Sequence, residues 1–365
     1  MRKFAILLHR YLGVALAVVL LVSSVSGAAI VFSDPIDAWL NPTLLQVTAQ
    51  TERVAVDTML VQLQQALPGM KVSTVYVPHA PELAWEFWFH GDQAMRAYVN
   101  PYTGDILGFR GATDSLMGFL VDLHIHLLAG ETGEQLMGWA GLAAVLLSLL
   151  GLYLWWPKAG RWKPALSVKW HAAPVRRLRD LHKVVGACSF GLIVLTAMTG
   201  SLIALHEVVA EPLLAVLTGE RMRQVAPRSL GRTGVDGKLA PIGPMLESAR
   251  AEFPGARLSR ISIPSDPHGT VTLRMQLQGD VHQFGRSFLW FDQYDGRLLK
   301  TSSIRKANLA SRIQNWFYPL HTGFYGGTAT RWLQLFVGLS MAMLTLSGIW
   351  LWWKDWRARR LAVRT

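Results

Sequence analysis

The chain has 365 residues, of which 51% are hydrophobic and only 16% charged, and it carries a formal net charge of +12. With a mean hydropathy of +0.26 it is too apolar for a soluble globular protein of this length, which sets the class as a membrane protein. Such a basic excess points to nucleic acid only if it gathers on one surface, and the single cysteine, Cys188, excludes both a disulfide framework and a covalent c-type haem motif.

From the N-terminus, residues 11 to 33 form a first apolar run, about as long as the ~20 residues that cross ~30 Å of hydrocarbon. Met1-Arg2-Lys3 before it and Ser26-Gly27-Ala28 near its end also fit a cleaved signal peptide. An internal repeat argues for a retained helix instead. Leu8-His9-Arg10-Tyr11-Leu12-Gly13 returns as Leu181-His182-Lys183-Val184-Val185-Gly186, and each histidine is followed by a glycine 18 positions on, Gly27 and Gly200. The matching run, 184 to 206, lies mid-chain, where no signal peptide can be.

Residues 34 to 113 change character, with repeated prolines and alternating apolar positions, and read as a soluble α+β insert. A helix is predicted over Val56 to Leu67, then strands over Lys71 to Val77, Ala84 to His90 and Arg96 to Val99, with Pro101-Tyr102-Thr103-Gly104-Asp105 as a hairpin turn. Residues 207 to 314 repeat the plan: Pro254 to Pro264 spans 10 positions as Pro68 to Pro78 does, and Asp292-Gln293-Tyr294-Asp295-Gly296-Arg297 matches the turn. The second and fourth apolar runs, 136 to 156 and 332 to 353, follow a second pair of histidines. From His124 to Gly130, Gly141, Gly151 and Trp155 the steps are 6, 17, 27 and 31, and from His321 to Gly327, Gly338, Gly348 and Trp352 they are the same.

The predicted organisation is therefore a first transmembrane helix in 1–33, an insert in 34–113, an edge segment and second helix in 114–157, a basic loop in 158–180, a third helix in 181–206, a second insert in 207–314, and an edge segment, fourth helix and basic tail in 315–365. The N-terminus, the 158 to 183 connection and the tail together hold 16 basic residues against 2 acidic ones. That bias predicts cytoplasmic termini and middle loop, with both inserts on the other side, the periplasm of a bacterial inner membrane. Topology accounts for the basic excess, so no nucleic-acid partner is expected.

This topology sorts the histidines by depth: His9 and His182 near the cytoplasmic boundary, His124 and His321 near the external one. Ionisable residues at spanning helices mark functional sites, and two such pairs predict two bis-histidine sites stacked across the bilayer. Haem b is the natural occupant. Neutral imidazoles ligate its iron from both faces, a four-helix core supplies the apolar cleft, and Gly13, Gly27, Gly186 and Gly200 allow close approach. Structural zinc prefers four protein ligands including cysteine, and no such cluster is visible. His126 and His206 have no counterpart in the other half and stand as reserve ligands or supporting residues; His171 has none either. The paired tryptophans Trp155-Trp156 and Trp352-Trp353 read as an interfacial belt.

These histidine motifs, the inserts ending in Tyr102-Thr103-Gly104-Asp105 and Tyr294-Asp295-Gly296-Arg297, and the Trp-Trp helix ends resemble the PepSY-associated transmembrane family over essentially the whole chain. Within it the chain is similar to iron-regulated membrane proteins and inner-membrane ferric-siderophore reductases. The resemblance implies two non-covalent b haems on His9, His124, His182 and His321, and reduction of ferric siderophores or other ferric chelates at the periplasmic face for iron uptake. Some relatives are fused to flavoproteins; with this chain ending soon after its fourth helix, the electron donor is expected to be separate, a quinol or a cytosolic flavoenzyme. The competing class is a non-redox sensor or a peptide- or peptidase-regulating PepSY module, separated from the first by haem content. A transporter fits less well, because no acidic residue interrupts a spanning segment.

The inserts differ in charge. Residues 34 to 123 carry ten acids against four basic residues, whereas 207 to 320 carry fifteen basic residues against ten acids. The expectation is an open cleft between the two inserts, above His124 and His321, that holds the chelate with an attraction weakened by salt.

Overall fold

The computed structural model describes residues 1–91, 95–222, 226–229 and 239–362. Part of the second insert's basic excess, Arg223, Arg232 and Lys238, and the last tail residues lie outside the described residues. The chain divides into two units, one of residues 1–32, 120–213 and 317–365, the other of residues 33–119 and 214–316.

The first unit is built on four helices long and apolar enough to span a bilayer: Arg2–Ile30, Gly130–Trp155, Pro174–Ala204 and Gly327–Ala362. The chain is an α-helical, multi-pass membrane protein. Large apolar side chains such as Val18, Leu146 and Phe336 remain exposed along these helices, as lipid-facing positions do. The first and third helices each lie against the second and fourth, which sets the first and third diagonally opposite. Small residues permit the approach. A Cβ at Gly141 of the second helix would stand 2.2 Å from Ser201 Oγ of the third, and one at Gly338 of the fourth would stand 2.9 Å from Ala28 of the first.

All four of these helices begin before the apolar runs that announce them. Pro174 starts the third, a favoured first-turn residue, and Arg176 and Asp180 pair one turn apart at 3.1 Å. His9 and His182 consequently lie about two turns inside their helices rather than at the ends. His124 and His321 sit on separate short helices, Leu116–His126 and Phe317–Thr322. Left-handed residues follow each: Leu127 and Leu128 at φ 50° and 58°, and Gly323 at φ 80°.

The second unit is a single antiparallel sheet of eight strands: β1 (Val72–Tyr76), β2 (Trp85–Phe89), β3 (Met95–Val99), β4 (Ile106–Gly111), β5 (Arg257–Ser262), β6 (Thr270–Gln276), β7 (Ser287–Asp292) and β8 (Leu298–Ser302), in the order β4-β3-β2-β1-β5-β6-β7-β8. The first three strands form where the sequence predicts them. Gly104 and Gly296 adopt φ 82° and 72° in the matching turns, which an L side chain resists. One core runs through both inserts: Met59 and Leu63 from the helix Val56–Ala66, and Met245 and Ala249 from the helix Ile242–Glu252, pack with Val75, Phe87, Ile261, Leu273 and Phe291. Cation–aromatic pairs join neighbouring side chains between the core positions, with Arg96 over Trp88 at 4.0 Å and Arg260 over Tyr76 at 4.2 Å.

Here the structure corrects the expectation of an open cleft between two separate inserts. The edge strands β1 and β5 pair directly, with Thr74 opposite Ser262, Val75 opposite Ile261 and Tyr76 opposite Arg260. Asp57 of the first insert also accepts hydrogen bonds from the main-chain N–H groups of Ile242 and Gly243 at 2.7 and 2.9 Å, and so caps the second insert's helix. Unpaired strand edges are costly to leave open, and fusing the two half-sheets removes one from each.

Candidate functional site

The four register-matched histidines meet as two pairs in the helical unit. The His9 and His182 ring centroids are 6.5 Å apart with planes at 88°, and those of His124 and His321 are 6.2 Å apart with planes at 31°. A metal held by one nitrogen from each of two imidazoles, at bonds of about 2 Å, separates the ring centroids by about 6 Å. Both pairs stand at that spacing. The His124/His321 pair packs beside Gly27 and the other pair includes His9 of the same helix, so at ~1.5 Å per residue the sites lie roughly 27 Å apart along the first helix.

Each imidazole is oriented by a neighbouring helix. His9 Nδ1–H donates to Leu147 O at 3.1 Å, His124 Nδ1–H to Ser23 O at 3.0 Å, and His321 Nδ1–H to Thr196 O at 3.0 Å. His182 Nδ1–H donates to Ser347 Oγ at 2.8 Å, and that hydroxyl passes its own proton to Leu344 O. Carbonyls only accept, so the bonds select the Nδ1–H tautomer and leave Nε2 as the basic nitrogen of every ring, the one able to ligate. None of the four Nε2 atoms has a hydrogen bond among the described residues. Histidines that bind metals carry this kind of supporting bond on the other nitrogen.

Glycines make room for the rings. A Cβ at Gly27 would stand 2.7 Å from His124 Cε1, and one at Gly200 would stand 2.6 Å from His321 Cε1. At the other pair, Gly151 faces His9 at 3.2 Å and Gly348 faces His182 at 3.6 Å. Every glycine in the repeat that faces a histidine thus has a counterpart doing the same in the other half. Gly13 and Gly186 instead meet Leu147 and Leu344 at ordinary contact distances, 3.7 and 3.5 Å.

The reserve histidines lie outside these pairs. His126 is engaged on both nitrogens, with Nδ1 2.7 Å from Asp122 and Nε2 3.9 Å from Glu134. His206 begins a single π turn after the third membrane helix. Among the described residues no group of three or more His, Cys, Asp or Glu is placed to hold a metal ion, and each pair brings together two imidazoles. The donor set, its tautomer and its spacing fit a planar macrocycle whose iron takes one imidazole on each face. At the basic end, Asp355 of the fourth helix lies 3.1 Å from Arg10 of the first and 3.7 Å from Arg179 of the third, tying three helices close to His9 and His182 in sequence. Sequence reading does not single out Asp355 or the oxygen acceptors. Of these, only Asp355 leaves a trace there, as one of two acids among sixteen basic residues.

No curated protein matches the chain. A family model described as the PepSY-associated TM region matches residues 6–354, and the chain therefore belongs to the PepSY-associated transmembrane family.

Proposed function

We propose that the chain is a di-haem b-type electron-transfer protein of the bacterial inner membrane, which reduces ferric siderophores or other ferric chelates at the periplasmic face for iron acquisition. The observation that carries this reading is the pairing of all four register-matched histidines at a spacing of 6.5 and 6.2 Å, every one with Nδ1 occupied and Nε2 free. The matched His–Gly contacts support two pseudo-symmetric repeats, each a pair of membrane helices with an α+β insert between them. When bound, haem b supplies a one-electron iron couple at each site.

The chain's residues do the rest. His9 and His182 hold the cytoplasmic group and His124 and His321 the periplasmic one, with the Nδ1 partners fixing each ring. A haem held by both imidazoles of its pair would relay electrons rather than activate oxygen. One electron passes from a separate donor, a quinol or a cytosolic flavoenzyme, through the bundle to the chelate, where Fe(III) becomes Fe(II) and no proton is required. The 16-to-2 basic bias supports cytoplasmic termini and periplasmic inserts.

Protein purified from haem-replete cells is expected to show a reduced b-type spectrum with about two haems per chain, and to lose that spectrum on adding a ferric chelate. A colourless preparation would overturn the reading and favour a sensor or PepSY regulatory module.

A further inference from the structure

The sheet unit holds a concavity that the histidine pairs do not use. It measures ≈ 700 Å³ and lies between the end of the helix Ile242–Glu252, the end of β6, the start of β7 and the segment after β8. Pockets of about 300–1,000 Å³ take ligands of drug size; a lone phosphate or acetate would leave most of this one empty.

Its charge is one-sided. Arg286, Arg305 and Lys306 line it against one carboxylate, Glu252, while Phe253 and Gln278 complete the wall. Arg286 is the embedded member. Its Nη2–H donates to Gln314 Oε1 at 2.5 Å and its main-chain N–H to Asp280 Oδ2 at 2.9 Å, yet its Nε is buried without a hydrogen-bond partner. A buried donor left unpaired is costly; Arg286 itself lines the cavity, so its guanidinium adds positive charge to the wall. Arg305 donates to Gln278 O at 3.0 Å and is otherwise exposed, and Lys306 is exposed and makes no ion pair among the described residues.

The surroundings add positive potential. His282 is buried next to this corner, with Arg274 Nη2 3.3 Å from its Nε2. Burial first, then Arg274, Arg286 and Arg260, push its imidazole down to about 2. Asp280 and Glu252 are too few to cancel that many guanidiniums.

We propose that this concavity docks a polyanionic, carboxylate-bearing ferric chelate, the acceptor class for the electron transfer proposed above, on which this inference rests. Arg286 receives one carboxylate in the wall, and Arg305 and Lys306 hold further carboxylates at the mouth. Cations placed this way favour carboxylate-rich chelates over neutral or cationic hydroxamate ones.

The test separates docking from redox by using gallium(III) citrate, which matches the ferric complex in charge and is not reduced. Titrated calorimetrically into the full chain in detergent at low salt, it is expected to bind saturably and to weaken at least tenfold in the Arg305→Glu/Lys306→Glu double variant. Both side chains are exposed, so folding is kept; Arg286→Gln is expected to weaken binding further. A gallium trihydroxamate of neutral or positive charge is expected not to bind. Absence of gallium citrate binding, unchanged binding in the double variant, or equal affinity for inorganic phosphate alone would each overturn the assignment. A colourless protein that still binds gallium citrate would overturn the electron-transfer reading and leave the cavity assignment standing.

Discussion

Ser347 Oγ is the side-chain acceptor of His182 Nδ1–H, and that makes it testable. Replacing a main-chain carbonyl is not possible, but Ser347→Ala removes the hydroxyl acceptor of His182 Nδ1–H and weakens what orients the ring. Losing such a supporting bond costs roughly 10- to 100-fold in metal-site affinity. The variant is expected to bind one haem as tightly as the parent protein and the other more weakly by that factor, measured by haem titration of apo-protein. Two unweakened sites would show that Ser347 does not orient His182. The histidines themselves were legible in the sequence because register is a one-dimensional property, and 18 positions from His9 to Gly27 is the same interval as from His182 to Gly200. Their partners were not. Leu147 lies 138 residues from His9, and a carbonyl oxygen is common to every residue type, so composition carries no trace of its role.

At the level of the helices, the glycines decide how closely the rings approach. Gly200 belongs to the third membrane helix and His321 to the short helix before the fourth, and the ring lies where a Cβ would be, 2.6 Å from Cε1. A branched side chain there cannot be absorbed by the helix backbone, which is held by its own hydrogen bonds, so the imidazole must move. Gly200→Val is therefore expected to abolish haem at the His124/His321 pair while the His9/His182 pair keeps its own, giving about one haem per chain and one set of low-spin signals in place of two. Retention of two haems with unchanged signals would refute the close-packing argument. Helix boundaries were the less legible part. Hydropathy finds the hydrocarbon-spanning stretch, but Arg176, Arg177 and Arg179 continue the third helix beyond it because arginine is a good helix former. That continuation is what moves His182 from a helix mouth to about two turns inside the helix, and the same holds for His9 ahead of the first apolar run.

At the scale of the molecule, two inserts separated in sequence by the second membrane helix, a basic loop and the third membrane helix fold as one sheet, and the pairing that joins them escapes local patterns. Each insert predicts its own strands from alternation and turn residues, yet nothing in Val72–Tyr76 or Arg257–Ser262 announces that their free edges match. The consequence is cooperative. Val75 is fully buried in the shared core, opposite Phe87 on one side and Ile261 on the other. Proline at that position removes a ladder donor in a central strand, a loss of about 3 kcal/mol or more by analogy with helix interiors, and it also vacates a core position. If the eight strands are one folding unit, Val75→Pro weakens both inserts together, even though the second contains no altered residue. Limited proteolysis of the full chain in detergent, followed by mass spectrometry of the fragments, is expected to show new cleavage in residues 257–302 as well as in residues 72–111. Cuts confined to the first insert, with β5 to β8 as resistant as before, would mean that the β1–β5 pairing joins two domains that fold independently.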